Sequence, residues 1–296
     1  MSALRWWVVA WALGLSACAA GGDRSGEVRS LEQLPAHYRS VWESFRSADP
    51  GWPALRDEVR ADPSLRDFVV DNLVREMLLA YGEADLSQAQ QAATRHFRRT
   101  RAELLSFPTR ASEVLSELLG IGNGAAAFLA GESLLEIGRP ALPAVLAKLE
   151  SPEEQSRQWS ARLLGELPNG LEYEDAVLTA LARHLAEDGD WLTRAQCAES
   201  LGKRGSRART TQDLRRVLVQ ALADPDGGVR RAAAGGLAEL DDPAAVPALI
   251  GYLERGMGAG DLPECLAAET ALCSLTGAPR GLGVKGWRDW WRARRP

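Results

Sequence analysis

Residues with the chemistry of catalysis or metal binding are few in this chain and lie far apart. The three histidines, His37, His96 and His184, have no cysteine at the spacing of a metal site. Residues 281–286 match the G-x-G-x-x-G pattern of dinucleotide sites. No strand is predicted before them, however, so we interpret this segment as a loop. The sequence therefore predicts no enzyme, no cofactor and no small-molecule substrate.

One cysteine, Cys18, ends an N-terminal segment that has the pattern of a targeting sequence. Arg5 precedes a short apolar run, residues 6–14, that ends in Leu15-Ser16-Ala17-Cys18. A run this short is typical of a cleaved signal peptide, since spanning a bilayer takes roughly 20 apolar residues. The ending resembles the lipobox of bacterial lipoproteins. That resemblance implies removal of residues 1–17 and acylation of Cys18, while the alternative is an ordinary secretory signal that ends near Ala20.

The residues after Cys18 predict where the folded part is held. Ala19 follows the cysteine where an Asp would otherwise direct retention, so the resemblance to lipoproteins implies a bacterial cell envelope protein in the outer membrane, facing the periplasm. Residues 18–29 are small, glycine-rich and charged. We expect them to form a lipidated flexible tether with a reach on the order of 20 Å.

Composition restricts the classes of partner. The 296-residue chain has a net charge of −5 and a pI of about 5.5, which argues against a nucleic-acid partner. No second hydrophobic span follows the signal segment, so we expect contact with the membrane through the lipid anchor. Three cysteines remain after Cys18, an odd number for a complete set of disulfides in an oxidising compartment.

Residues 30–121 are predicted to be a helical N-terminal region. Ser30 fits a capping box with Gln33, and Asp62-Pro63 predicts the start of a later helix. Four arginines surround His96. We interpret them as a solvated helix face, with a patch for anionic lipid or an acidic partner as the alternative. They are Arg95, Arg98, Arg99 and Arg101.

A repeat of 30 to 37 residues organises the rest of the chain. It is anchored on five leucines, Leu134, Leu164, Leu201, Leu237 and Leu272. Small residues stand three and four positions before nearly all of them, as close helix packing requires. Eleven positions before them stand candidate helix caps, namely Asn123, Glu153, Asp190, Asp226 and Asp261. A second helix is predicted after each of the first four.

The repeat resembles the HEAT family, in the short bacterial form also seen in phycobilisome-lyase-like proteins. The matching residues are the D-x-x-V-R-x-x-A-A-x-x-L that begins at Asp226 and the A-x-x-P-x-L-x-x-x-L of the following helix. The resemblance implies an all-α fold. We expect a right-handed α-solenoid of about five hairpins over residues 122–296, with a concave face for protein contacts.

Three arginines stand seven positions before the central leucines: Arg157, Arg194 and Arg230. We interpret them as a structural ladder that links neighbouring repeats, because a guanidinium fork matches a carboxylate. The cap acids Glu153, Asp190 and Asp226 are their predicted partners. The alternative is a positive stripe that binds an acidic peptide.

The chain ends in an aromatic helix. Trp287, Trp290 and Trp291 are spaced to share one helix face, and we interpret them as a C-terminal cap over the last repeat. An interfacial membrane anchor is the alternative, because basic residues surround the tryptophans. These residues are Lys285, Arg288, Arg292, Arg294 and Arg295.

The sequence also predicts how a glycine pair and three cysteines are packed. Gly235-Gly236 is unusual inside a helix, and we expect the helix around Cys265–Leu275 to approach it closely. Cys197 and Cys265 fall on packing positions and Cys273 lies beside a core leucine, so we interpret all three as small buried residues.

Together these patterns predict a membrane-tethered scaffold for unknown envelope proteins. Two alternatives stay open at this point. The chain could be an accessory or lyase-like factor that grips a substrate protein, or a surface protein that binds anionic lipid weakly.

Overall fold

The computed structural model describes residues 35–82, 88–170, 172–205 and 211–294, and within these ranges all regular structure is helical. The signal segment, Cys18, the tether, the capping box at Ser30 and the terminal Arg295 lie outside them. None of the helices in these ranges has the length and apolar character needed to cross a membrane.

The chain divides into two compact units, residues 1–141 and 142–296. In the first unit the helix bounds are α1 Ala36–Arg46, α2 Trp52–Ala61, α3 Pro63–Gly82, α4 Gln88–Leu104, α5 Pro108–Glu117 and α6 Gly124–Ile137. Helix α6, which the repeat pattern assigns to the first hairpin, therefore belongs to the first unit. Short 3-10 turns follow α5 and α6.

Helix α3 is the centre of the first unit and packs against α1, α2, α4 and α5. It begins where Asp62-Pro63 predicts, because Asp62 Oδ1 accepts from the backbone N–H of Ser64 at 2.9 Å. Its buried face includes Leu73 and Met77. An aromatic cluster fills the adjoining space, with the Trp42 and Phe45 rings stacked at 5.2 Å between centroids.

The second unit has nine helices in the described ranges, arranged as hairpins. Their bounds are α7 Leu142–Lys148, α8 Glu154–Glu166, α9 Glu174–Glu187, α10 Trp191–Gly205, α11 Thr211–Ala221, α12 Gly227–Glu239, α13 Val246–Ala259, α14 Leu262–Thr276 and α15 Gly283–Arg292. Helices α8, α10, α12 and α14 are the first helices of successive repeats. Helices α9, α11 and α13 are second helices.

Four of the five predicted cap residues accept backbone hydrogen bonds at the helix starts. Asp190 and Asp226 cap α10 and α12, with Oδ to backbone N distances of 2.8 Å to Thr193 and 2.7 Å to Gly228. Asn123 and Asp261 cap α6 and α14 in the same way. The fifth prediction was wrong, because the side chain of Glu153 accepts no such bond at the start of α8.

The repeats of the second unit stack into a solenoid, which confirms the predicted all-α solenoid class. Each first helix packs against the next, α8 on α10, α10 on α12 and α12 on α14, while α9, α11 and α13 form the other layer. The anchoring leucines Leu164, Leu201, Leu237 and Leu272 are all completely buried. Burial of this shared stripe is the main driving force for stacking.

The glycine pair in α12 has a different neighbour from the predicted one. A Cβ added to Gly236 would lie 2.6 Å from the carbonyl oxygen of Ala198 in the preceding helix α10, and one added to Gly202 would lie 2.5 Å from the Cα of Gly236. The expected approach of the following helix, now α14, is therefore wrong here. Gly235 faces open space, with nothing within 4 Å of an added Cβ.

We predict opposite effects for alanine at these adjacent glycines. Gly236→Ala should lower the free energy of unfolding by more than about 1 kcal/mol, because the helix backbones must move apart. Gly235→Ala should raise it by about 0.5–1 kcal/mol, because alanine favours a helix and has room there. Urea denaturation of both variants tests this, and equal effects would contradict the assigned packing.

Candidate functional site

The three ladder arginines each join two successive turns of the second unit. Arg194 directs Nε and Nη2 to the two carboxylate oxygens of Asp224, at 2.9 Å each, and donates from Nη1 to the carbonyl of Asp188 at 2.9 Å. Arg157 forms the same pattern, with its fork on Asp188 at 2.9 and 3.1 Å and Nη1 on the carbonyl of Ser151 at 3.0 Å. Such bidentate pairs fix both distance and orientation.

The contacts form a continuous chain because each aspartate serves two arginines. Asp188 receives the fork of Arg157 on its carboxylate and the Nη1 of Arg194 on its carbonyl. Asp224 does the same for Arg194 and Arg230. We call this chain of arginines and carboxylates the turn network. It runs along one edge of the second unit, where the turns precede the first helices.

The acids in the turn network are not the predicted cap acids. Arg157 and Arg194 bind Asp188 and Asp224, which stand two residues before the caps Asp190 and Asp226. The cap carboxylates are already occupied by backbone N–H groups of their own helices. The D-x-D spacing in each turn is the sequence signal for these two roles, in which the first Asp binds an arginine and the second caps the helix. The first Asp also accepts the backbone N–H of the second.

The last contact of the network uses another residue. Ala259 stands two residues before the cap Asp261, so the repeat offers no aspartate there. Arg230 binds Glu264 instead, in the first turn of α14, and Glu264 is buried to the same degree as the aspartates. The network therefore continues into α14 although the repeat pattern weakens there.

Electrostatics in the turn network favour the charged carboxylates. Burial opposes ionisation of Asp188 and Asp224, but hydrogen bonds from Arg157 and Arg194 outweigh it, together with backbone N–H donors, and hold the pKa of each aspartate below its usual value. His184 adds a further contact, because its Nδ1 lies 2.9 Å from an Asp188 oxygen. The stability contributed by these two aspartates is therefore present at neutral pH.

A second buried ion pair lies inside the repeat stack. Arg204 is completely buried on α10, at the position where the repeat otherwise has an apolar residue. Its Nε and Nη2 bind Glu174 at 3.0 and 2.6 Å, and Nη1 donates to the carbonyl oxygens of Leu164 and Leu167 at the end of α8. The failure of the apolar pattern at Arg204 was its only sequence signal. This arginine therefore satisfies carbonyl oxygens at the carboxyl end of α8.

An open cleft lies between the first helices α10 and α12. Its volume is about 360 Å³. The lining residues are Trp191, Leu192, Ala195, Gln196 and Glu199 from α10, and Gly228, Arg231, Ala232 and Gly235 from α12. Small residues make up most of the α12 side, which leaves the space unfilled. The cleft lies next to the close contact between Gly202 and Gly236.

Trp191 forms one end of this cleft. Its ring lies against the backbone of α12, where a Cβ added to Gly228 would be 2.8 Å from the ring. Even so, the tryptophan is 48% exposed. Arg231 and Glu199 lie at the rim, and in the described part of the chain neither forms an ion pair. Within the described residues, the cleft thus combines apolar surface with one cation and one anion at its rim.

The aromatic helix α15 packs on α13. Trp287 is completely buried, and the ring of Trp290 contacts it edge-on at 6.0 Å between centroids. Trp291 is half-buried. Arg294 lies 4.3 Å over the Trp290 ring and Arg288 pairs with Glu254 at 2.6 Å, so these flanking cations have partners within the protein. The G-x-G-x-x-G segment is not all loop, because α15 begins at Gly283.

Two arginines of the basic cluster form contacts that the sequence did not predict, and two cysteines are less buried than predicted. In the basic cluster of the first unit, Arg99 stacks over Phe45 at 4.5 Å and Arg101 pairs with Glu136 at 2.7 Å, so neither is a solvated side chain. Among the three cysteines in the described ranges only Cys197 is buried, and burial raises the pKa of its thiol above its usual range. Cys265 and Cys273 are half-buried, which corrects the prediction for them.

Comparison with known proteins agrees with this arrangement of helices. The model of the HEAT-repeat family matches residues 142–218 and 178–256. We call residues 142–256, which this family model matches, the HEAT segment. This HEAT segment begins at the first residue of the second unit and includes most of the turn network and the whole cleft. No curated protein matches the chain.

Several solved structures resemble the chain. The X-ray structure of YibA from Escherichia coli has 19% sequence identity and a TM-score of 0.49, and the match covers 61% of this chain and 64% of YibA. The chain therefore spans less than two thirds of that relative. A crystal structure of an engineered protein has 19% identity and a TM-score of 0.43, with 70% of this chain and 96% of that chain covered.

The turn network predicts a stability cost for losing Arg194. Arg194→Ala should lower the free energy of unfolding by about 1–3 kcal/mol, because Asp224 and the carbonyl of Asp188 lose charged donors. Arg216→Ala is a matched control, since its pair with Asp213 is largely exposed and should contribute little. Thermal and urea denaturation measure both. Unchanged stability with loss of partner binding would favour the alternative of a positive stripe.

The lowered aspartate pKa values predict a specific response to acid. Stability from Asp188 and Asp224 is fully present above the usual aspartate pKa, about 3.9, and is lost as the pH falls through the lower folded-state pKa. Asp224→Asn should be less stable at pH 7 and show a shallower loss below pH 4. Asp213→Asn, at an exposed pair, is the control. Parallel pH profiles for Asp224→Asn and wild type would contradict the assignment.

Proposed function

We propose that this protein is a membrane-tethered envelope lipoprotein that binds other proteins through its HEAT segment. The open cleft between α10 and α12 is the observation that carries the binding role, because it presents the exposed Trp191 ring and two charged side chains that form no ion pair within the described residues. The Leu15-Ser16-Ala17-Cys18 sequence supports the tether. An acylated Cys18 and a short tether would keep this surface near the membrane.

An accessory or lyase-like role and a lipid-binding role are the alternatives to the scaffold. An accessory or lyase-like factor would use the same cleft to grip a substrate protein, so the identity of the recovered partner distinguishes it from a scaffold. A lipid-binding patch would need free cations in the cluster around His96. Arg99 and Arg101 already contact other residues there, whereas Arg95 and Arg98 are exposed.

The tether and the binding role can be tested together in a diderm bacterium. We expect wild-type protein to incorporate labelled palmitate and to fractionate with the outer membrane, and Cys18→Ala to do neither. Mild crosslinking of intact cells followed by affinity purification should recover the same envelope protein reproducibly from wild type, and less of it from Cys18→Ala. Recovery of no partner from either form would count against the scaffold.

A further inference from the structure

We propose that the cleft between α10 and α12 binds an amphipathic helix of a partner protein, and that this helix presents an acid, an apolar side chain and a base on one face. This inference rests on the proposed scaffold function and names the kind of segment it recognises.

The floor of the cleft suits one large apolar side chain. Ala195 and Ala232 are buried there, and Gly235 leaves open space about one turn beyond Ala232 on α12. Trp191 closes one end with an exposed ring face. A leucine or phenylalanine seated on this floor would pack against the exposed Trp191 ring and cover it from water, which is the usual role of an interface anchor.

The charges stand at opposite ends of the floor. The guanidinium of Arg231 folds back along α12 toward Gly227. A Cβ added to that glycine would lie 3.0 Å from Nη1 of Arg231, 3.3 Å from Nη2 of Arg230 and 3.9 Å from Oε1 of Glu264. Glu199 lies on α10, eight residues beyond Trp191 and therefore about 12 Å further along the helix. An acid over Arg231 and a base beside Glu199 would be separated by about two helical turns. Positions i and i+7 of a partner helix provide that separation, with the anchor at i+4.

The surface beside the cleft extends the apolar contact. Leu262 and Leu266 on α14 occupy the same repeat positions as Trp191 and Ala195 on α10, and they are 72% and 59% exposed. Helix α12, which packs between these two helices, carries Gly227 and Arg231 at those positions. A helix lying over α12 would therefore meet apolar side chains on both sides.

The probe is a labelled alanine-based helical peptide with Glu at i, Leu at i+4 and Lys at i+7, titrated against the full chain carrying Cys18→Ala. Matched peptides carry Lys or Glu at both charged positions, or Ala in place of Leu. We expect the Glu-Leu-Lys peptide to bind about fivefold more tightly than either like-charged peptide, as exposed ion pairs allow. The peptide without leucine should not bind measurably.

Protein variants then locate the site. Gly235→Leu should weaken binding at least about tenfold by filling the cleft, while Gly258→Leu is the control, since nothing lies within 4 Å of a Cβ added to either glycine. Arg231→Glu should switch the preference to the peptide with two lysines. Urea denaturation of each variant confirms folding. Equal binding of all three charged peptides, or an unaffected Gly235→Leu, would overturn the proposal.

Other occupants give different results. Self-association of wild type that Gly235→Leu abolishes, seen by sedimentation, would show that a second copy fills the cleft and would overturn the proposal. Binding to phosphatidylglycerol vesicles that Trp191→Ser abolishes would overturn it in favour of lipid. If crosslinking recovers a partner equally from wild type and Gly235→Leu, the scaffold function stands and the cleft inference fails.

Discussion

The second unit depends on one repeated interaction, in which a single guanidinium satisfies two turns at once. Arg194 donates to a backbone carbonyl in the turn before its own helix and to the Asp224 carboxylate in the turn before the next first helix. Because the guanidinium is planar and rigid, this geometry holds the two turns at one separation. The caps at Asp190 and Asp226, and the alignment of the buried leucines, are compatible with that separation. The charged edge thus sets the register of the apolar stack.

Burial of apolar side chains, rather than the ion pairs, supplies most of the favourable free energy. The desolvation of a partly buried arginine and carboxylate offsets much of their attraction, so such pairs are better at selecting one arrangement than at stabilising it. Arg204 likewise binds a carboxylate and backbone carbonyls at once inside the stack, where it joins Glu174 to two carbonyl oxygens at the end of α8. In both places an arginine satisfies backbone groups that the helices leave open.

Close packing and the open cleft have a common origin in the composition of α12. Gly236 permits the backbone of α10 to approach, with Gly202 opposite it. Successive residues point about 100° apart around a helix, so the neighbouring Gly235 faces outward and leaves space at the surface. The small residues that let the repeats stack therefore also leave a concave surface beside Trp191. In the proposed function, packing and recognition therefore depend on the same helix.

The sequence by itself determined the helical class, the repeat register and most of the helix starts, because periodic leucines and caps such as Asp226 act locally. It also identified Arg194 as a link between repeats. Only the tertiary structure decided which acid that arginine binds, which neighbour Gly236 approaches and why Arg204 replaces an apolar residue. These choices depend on contacts between residues 30 or more positions apart, and local spacing cannot distinguish the preceding helix from the following one. The cleft beside Trp191 arises in the same way, since it exists only after α10 and α12 have packed.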